Sequence, residues 1–145
     1  MANGIATLQT LTDTAIDSVI GYEKAAESAT SAGLSQTLRQ CATERREVVN
    51  NLNNEISRLG GDTREDGTFS GSVHRVWTDI TTAFGDKNES TMERVEEGED
   101  YIKAKFETAL EDNELEPQSR QIVQQCYSQV CEGERMSDRL AAQFD

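Results

Sequence analysis

Between Met92 and Leu110 the sequence reads MERVEEGEDYIKAKFETAL, and Met92, Val95, Ile102, Phe106 and Ala109 fall three and four apart. That is the spacing of one helix face. The position that completes the series is 99, a glutamate. A bare carboxylate in an apolar stripe is costly, so Glu99 calls for a counter-charge, a metal or a proton. Three more glutamates stand close to inward positions. Glu23 follows Tyr22 on an apolar stripe, Glu44 adjoins Arg45 in the seam between Cys41 and Val48, and Glu134 flanks Gly133 in a fourth seam.

Two chemistries fit these residues. In one, Arg45 neutralises Glu99 and the interior holds a layer of ion pairs. In the other, Glu23, Glu44, Glu99 and Glu134 hold two metal ions. Inward glutamates from four helices build dimetal sites, two of them within Glu-x-x-His pairs, and hard oxygen donors suit iron or manganese. Such a protein would be an iron oxidase or an iron store. The histidines of that pattern are missing. ERRE at Glu44 to Glu47 is only Glu-x-x-Glu, and the sole histidine, His74, lies outside these segments. Their absence favours the ion pair and a protein that is not an enzyme.

The elements that must position these residues are four long helices. The first runs from about Ile5 to Ala29, with Leu8, Leu11, Ala15, Val19, Tyr22 and Ala26 inward. TSAGL follows, with Gly33 as the punctuation. The second runs from about Leu34 to Leu59, with Leu38, Cys41, Val48, Leu52 and Leu59 inward, and GGD at Gly60 to Asp62 ends it. The third starts at Ser90, which has capping-box spacing to Glu93, and ends near Glu111. The fourth opens on Pro117, which suits a first helical position, and carries Ile122, Cys126, Val130, Met136, Leu140 and Phe144. Between the second and third lies FSGSVHRVWTDITTAF, where Phe69, Val73, Val76, Trp77, Ile80 and Phe84 predict a shorter amphipathic helix. His74 and Arg75 on it read as residues that seat this helix on the others.

Short turns make antiparallel neighbours, and a long link can run the length of a bundle. The second and third helices would then point the same way, in the one-crossover arrangement of ferritin-like bundles. Counting about 1.5 Å per residue from the two tight turns places Glu23, Glu44, Glu99 and Glu134 within about a turn of one level, with Arg45 in reach of Glu99.

GYEKAAE (Gly21 to Glu27), VHRVW (Val73 to Trp77), EEGED (Glu96 to Asp100) and YSQV (Tyr127 to Val130) stand in order along nearly the whole chain. On these stretches the sequence resembles a bacterial ferritin-like four-helix-bundle family of unknown function. The resemblance implies a ferritin-like bundle with a crossover helix and no established activity. Members of that family often have a histidine near the position of Glu134, and this sequence departs from them there.

Bulk properties narrow the field further. The 145 residues suit one domain, and a net charge of -13 sets the surface against phosphate backbones and anionic lipid. No apolar run is long enough to span a bilayer. The segment MANGIATLQTLTD lacks the charged and apolar regions of a secretion signal. Cys41, Cys126 and Cys131 form no CxxC pair and read as reduced thiols of a cytoplasmic protein. With one histidine and no Gly-rich phosphate loop, hydrolase and nucleotide-binding chemistry are not expected. The expectation is an all-α, ferritin-like four-helix bundle over 1–145, with an additional short helix in a crossover of about 60–89. It is a non-enzymatic protein that self-associates as a dimer, with no nucleic-acid, membrane or small-molecule partner. Iron or manganese enters only under the alternative reading, and analogy alone extends the first to a stress-related role.

Overall fold

A computed structural model of the chain describes residues 4–65 and 87–143. These form four α-helices and, among the described residues, no strand: α1 (Ile5–Ser28), α2 (Ala32–Arg58), α3 (Lys87–Leu110) and α4 (Pro117–Gln143). The boundaries follow local chemistry. Gly4 precedes α1 at φ 83°, a conformation that suits glycine, and an added Cβ would meet the Leu115 side chain at 2.7 Å. Ser31 caps α2, its hydroxyl accepting the Leu34 amide at 3.3 Å. Gly33 therefore lies inside α2 and is not the break; the serine ends the turn because its side chain replaces a missing helical carbonyl. Gly60, at φ 83°, follows the end of α2, and the Gly61 amide bonds back to Ile56.

The third helix is already under way at Lys87, so Ser90 lies inside it and is not its cap. Its lower end is held by α4: the Arg120 guanidinium donates to the carbonyls of Leu110 and Asp112. Pro117 opens α4 as expected. The short helix expected over Phe69 to Phe84, with His74, Arg75 and Trp77, lies outside the described residues, as does Phe144.

The contacts at the two ends fix the directions. At one end Tyr22, Ala26, Leu34, Leu38, Met92 and Val95 gather into an upper cluster. At the other, Leu8, Leu11, Leu52, Ile56, Phe106 and Val123 form a lower one. Hence α1 and α4 run upward while α2 and α3 both run downward. Around the bundle α1 packs on α2 and α3, and α4 on α3 and α2. The chain leaves α2 at the lower end and enters α3 at the upper end, which is the one-crossover connectivity expected of the long link. The inward stripes of α1 and α3 are buried throughout. On α4 Val123, Cys126 and Val130 are the fully buried apolar residues, with Ile122 only part-buried. Each aliphatic side chain removed from water in these clusters stabilises the fold by about 1.5–3 kcal/mol before entropy is counted.

Candidate functional site

A polar layer separates the two clusters, and each helix contributes to it at the same place in its stripe. On α1, Ser18 stands between Ala15 of the lower cluster and Val19 of the upper. On α2, Arg45 stands between Val48 and Cys41; on α3, Glu99 between Ile102 and Val95; on α4, Gly133 between Val130 and Met136. Tyr22 of α1 borders the layer from above.

Glu99 is 0% and Arg45 4% exposed. Arg45 Nη2 donates to Glu99 Oε2 at 2.8 Å, and Nη1 donates to Ser18 Oγ at 3.1 Å. The Ser18 hydroxyl in turn donates a hydrogen bond to the Ala15 carbonyl at 2.7 Å. The guanidinium carbon lies 5.6 Å from the centre of the Tyr22 ring, within cation–π range. Gly133 covers the pair from the fourth side. A Cβ there would sit 2.8 Å from both Arg45 Nη2 and Glu99 Oε2, so a side chain could enter only by displacing the ion pair. Beside it, between α2 and α4, a groove of about 560 Å³ is lined by Cys41, Glu44, Val48, Met136 and Arg139.

The electrostatics leave the layer chemically quiet. Burial disfavours the charge on Arg45, but the adjacent Glu99 carboxylate outweighs it and holds the guanidinium above its ordinary value. Burial, and then Glu99, push the Tyr22 phenol well above its ordinary value. Burial, followed by Glu44 and Glu99, pushes the Cys41 thiol up to about 12. Neither group is therefore a nucleophile or a base near neutral pH.

The four glutamates read as metal ligands do not converge. Glu99 is in the layer. Glu23 is part-exposed and pairs with Arg46. Glu44 is exposed on the groove rim. Glu134 is part-buried and takes the Lys103 ammonium at 3.2 Å. Each of the three stands one residue from the inward position of its helix: 22, 45 and 133. One residue is about 100° of helical rotation. The inward positions carry a phenol, a guanidinium and no side chain. Among the described residues no three His, Cys, Asp or Glu come together to hold a metal ion. The donor set does not fit a dimetal centre: of the four carboxylates only Glu99 is fully buried in the layer, and Arg45 already supplies its counter-charge.

A second buried acid escaped the sequence reading. Glu55 is 4% exposed, receives the Ser119 hydroxyl at 2.5 Å and is gripped by Arg58 Nε at 2.8 Å. The Arg58 hydrogen bonds hold its carboxyl below the usual value against the pull of burial. The signal that marks Glu99 was present here too, since Glu55 lies three after Leu52 and four before Leu59. Ser18 offered no such signal: a serine on an apolar stripe reads as a small core residue. No helix among the described residues is long and apolar enough to cross a membrane. All three cysteines are free thiols.

No curated protein matches this chain. Residues 3–113, which take in α1, α2 and α3, match DUF2383, a domain of unknown function, and the chain belongs to that family.

Proposed function

We propose that this chain is a non-enzymatic ferritin-like bundle in which a buried ion pair fills the layer that metal-bearing bundles use for their carboxylates, and that its working partners are proteins, beginning with a second copy of itself. The observation that carries the reading is the 2.8 Å contact between Arg45 and Glu99, both inside the core, with Gly133 closed over them. Arg45 already supplies the counter-charge that Glu99 needs in the core, and the neighbouring Tyr22 and Cys41 stay protonated. The up-down-down-up order of helices supports the ferritin-like assignment. The charge of -13 turns the surface away from nucleic acid and anionic membranes and leaves protein surfaces as the partner class.

Elemental analysis of protein purified from iron- and manganese-supplemented cells tests the core of the reading. Metal well below one ion per chain, with no acceleration of ferrous oxidation, is the expected result. Stoichiometric metal that disappears in Glu99→Gln would establish the dimetal alternative. Self-association has its own measurement. Analytical ultracentrifugation should show a dimer as concentration rises, and a single monomeric species at the highest concentration would remove that half of the proposal.

A further inference from the structure

The fourth helix changes character partway along. Between Pro117 and Val130 it sends Ser119, Val123, Cys126 and Val130 fully into the interior. Beyond Val130, Met136 and Leu140 reach the upper cluster only part-buried, and Ser137 is the one fully buried side chain described. The change falls at Gly133, a poor helix former in mid-helix. It also falls beside the loosest seam of the bundle: of the four packed pairs α2 and α4 touch least, and the groove above Cys41 opens between them.

Like charge gathers at the other seam of the same segment. Across from α4, Asp100 of α3 faces Glu134 and Asp138, with Lys103 as counter-charge 3.2 Å from Glu134. Burial, then Glu134 through its charge and a hydrogen bond, and Asp138 push the Asp100 carboxyl above its usual value. On the α2 side the rim carries Glu44 and Glu47 against Glu132, Arg135 and Arg139 of α4, and no ion pair joins these among the described residues. Few buried apolar contacts and part-exposed ion pairs are the features of segments that open locally.

From these features we infer that residues 134–143 are a flap hinged at Gly133, which swings off the upper cluster while the rest of the bundle stays closed and so uncovers Cys41 and the Arg45–Glu99 pair. The inference is independent of whether the protein self-associates. Among the described residues the closed flap is held by the part-buried Met136 and Leu140, the small buried Ser137 and one ion pair, while residues 117–130 are anchored by the lower cluster and by the Ser119–Glu55 hydrogen bond.

Two buried thiols provide a matched pair of reporters. Cys41 and Cys126 are both buried in the closed bundle, so their labelling rates report how readily each becomes accessible. Cys41 lies under the flap; Cys126 lies in the lower cluster. In a Cys131→Ser background, iodoacetamide under native conditions should label Cys41 at least tenfold faster than Cys126. Amide exchange on the unaltered protein should show residues 134–141 exchanging together, with a step at Gly133 and slow exchange over 118–130. Asp100→Asn with Asp138→Asn removes the repulsion and should slow both the labelling of Cys41 and the exchange of the block several-fold. Equal labelling rates for the two thiols would overturn the flap. So would exchange that rises smoothly toward the helix end with no step, or a block indifferent to the double substitution, since ordinary fraying predicts both.

Discussion

The lower and upper halves of this bundle are built from the same four helices and closed by different means. Below the polar layer all four helices bury apolar side chains, and Phe106, Leu52, Ile56 and Val123 meet with essentially no exposure. The ends are tied there as well: Thr7 donates to Asp112, Arg120 caps α3, and Glu55 joins α2 to α4 through Ser119. Above the layer three helices make the cluster, and α4 leans on it with Met136 and Leu140. The difference shows that a bundle with regular stripes need not be equally firm along its length. What decides firmness is how many helices deliver a fully buried side chain at each level, and whether charges at the seam oppose or attract.

Several measurements would break or sharpen that contrast. The largest effect should come from the layer that divides the halves. Arg45→Met leaves Glu99 buried without its partner and should cost about 3–5 kcal/mol in urea unfolding. Arg45→Met combined with Glu99→Met should recover most of that loss, because removing both charges removes the uncompensated one. If the double variant is as unstable as the single, the layer is held by packing and not by charge. Next comes the contrast itself. Leu52→Ala in the lower cluster should lose about 2–5 kcal/mol, whereas Leu140→Ala should lose about 1 kcal/mol or less. Equal losses would mean that the two halves are alike.

A smaller effect belongs to the lower tie. Ser119→Ala removes one hydrogen bond to a buried carboxylate and should cost about 1–3 kcal/mol. Its cost should also depend on pH. The folded-state Glu55 carboxyl lies below its ordinary value, so its stabilisation is complete above the usual carboxylate range and is lost as pH falls through the lowered value. The difference between wild type and Ser119→Ala should therefore shrink in acid. A difference that is constant down to strongly acidic pH would show that Ser119 acts by packing alone. The smallest effect is expected at the surface. Glu23→Gln breaks a pair whose members are both about half-exposed, and should move stability by no more than about 1 kcal/mol, less in high salt.

Most of the scaffold was legible because helical spacing is a strong, repeated signal. The stripes Leu8 to Ala26 and Met92 to Ala109 are the buried faces of α1 and α3. The parallel run of α2 and α3 also followed from two short turns and one long link. Boundaries were less legible. Gly33 and Ser90 both look like punctuation, yet a helix in a packed bundle continues through such residues when tertiary contacts outweigh propensity. The Glu99–Arg45 pair could be read ahead of the structure because both residues interrupt apolar stripes. The role of Gly133 could not, since the reason for a glycine is the side chains that press against it, and those come from two other helices.

By itself the amino-acid sequence determined how high each residue stands. A rise of about 1.5 Å per residue is forgiving, so an error of one position leaves a side chain at nearly the same level. That is why Glu23, Glu44 and Glu134 were placed beside Glu99 in height. Only the tertiary structure decided which way they point. One residue is also about 100° of turn, enough to move a carboxylate from the core to the surface, and the interhelical packing that sets this angle put Tyr22, Arg45 and Gly133 inside in their place.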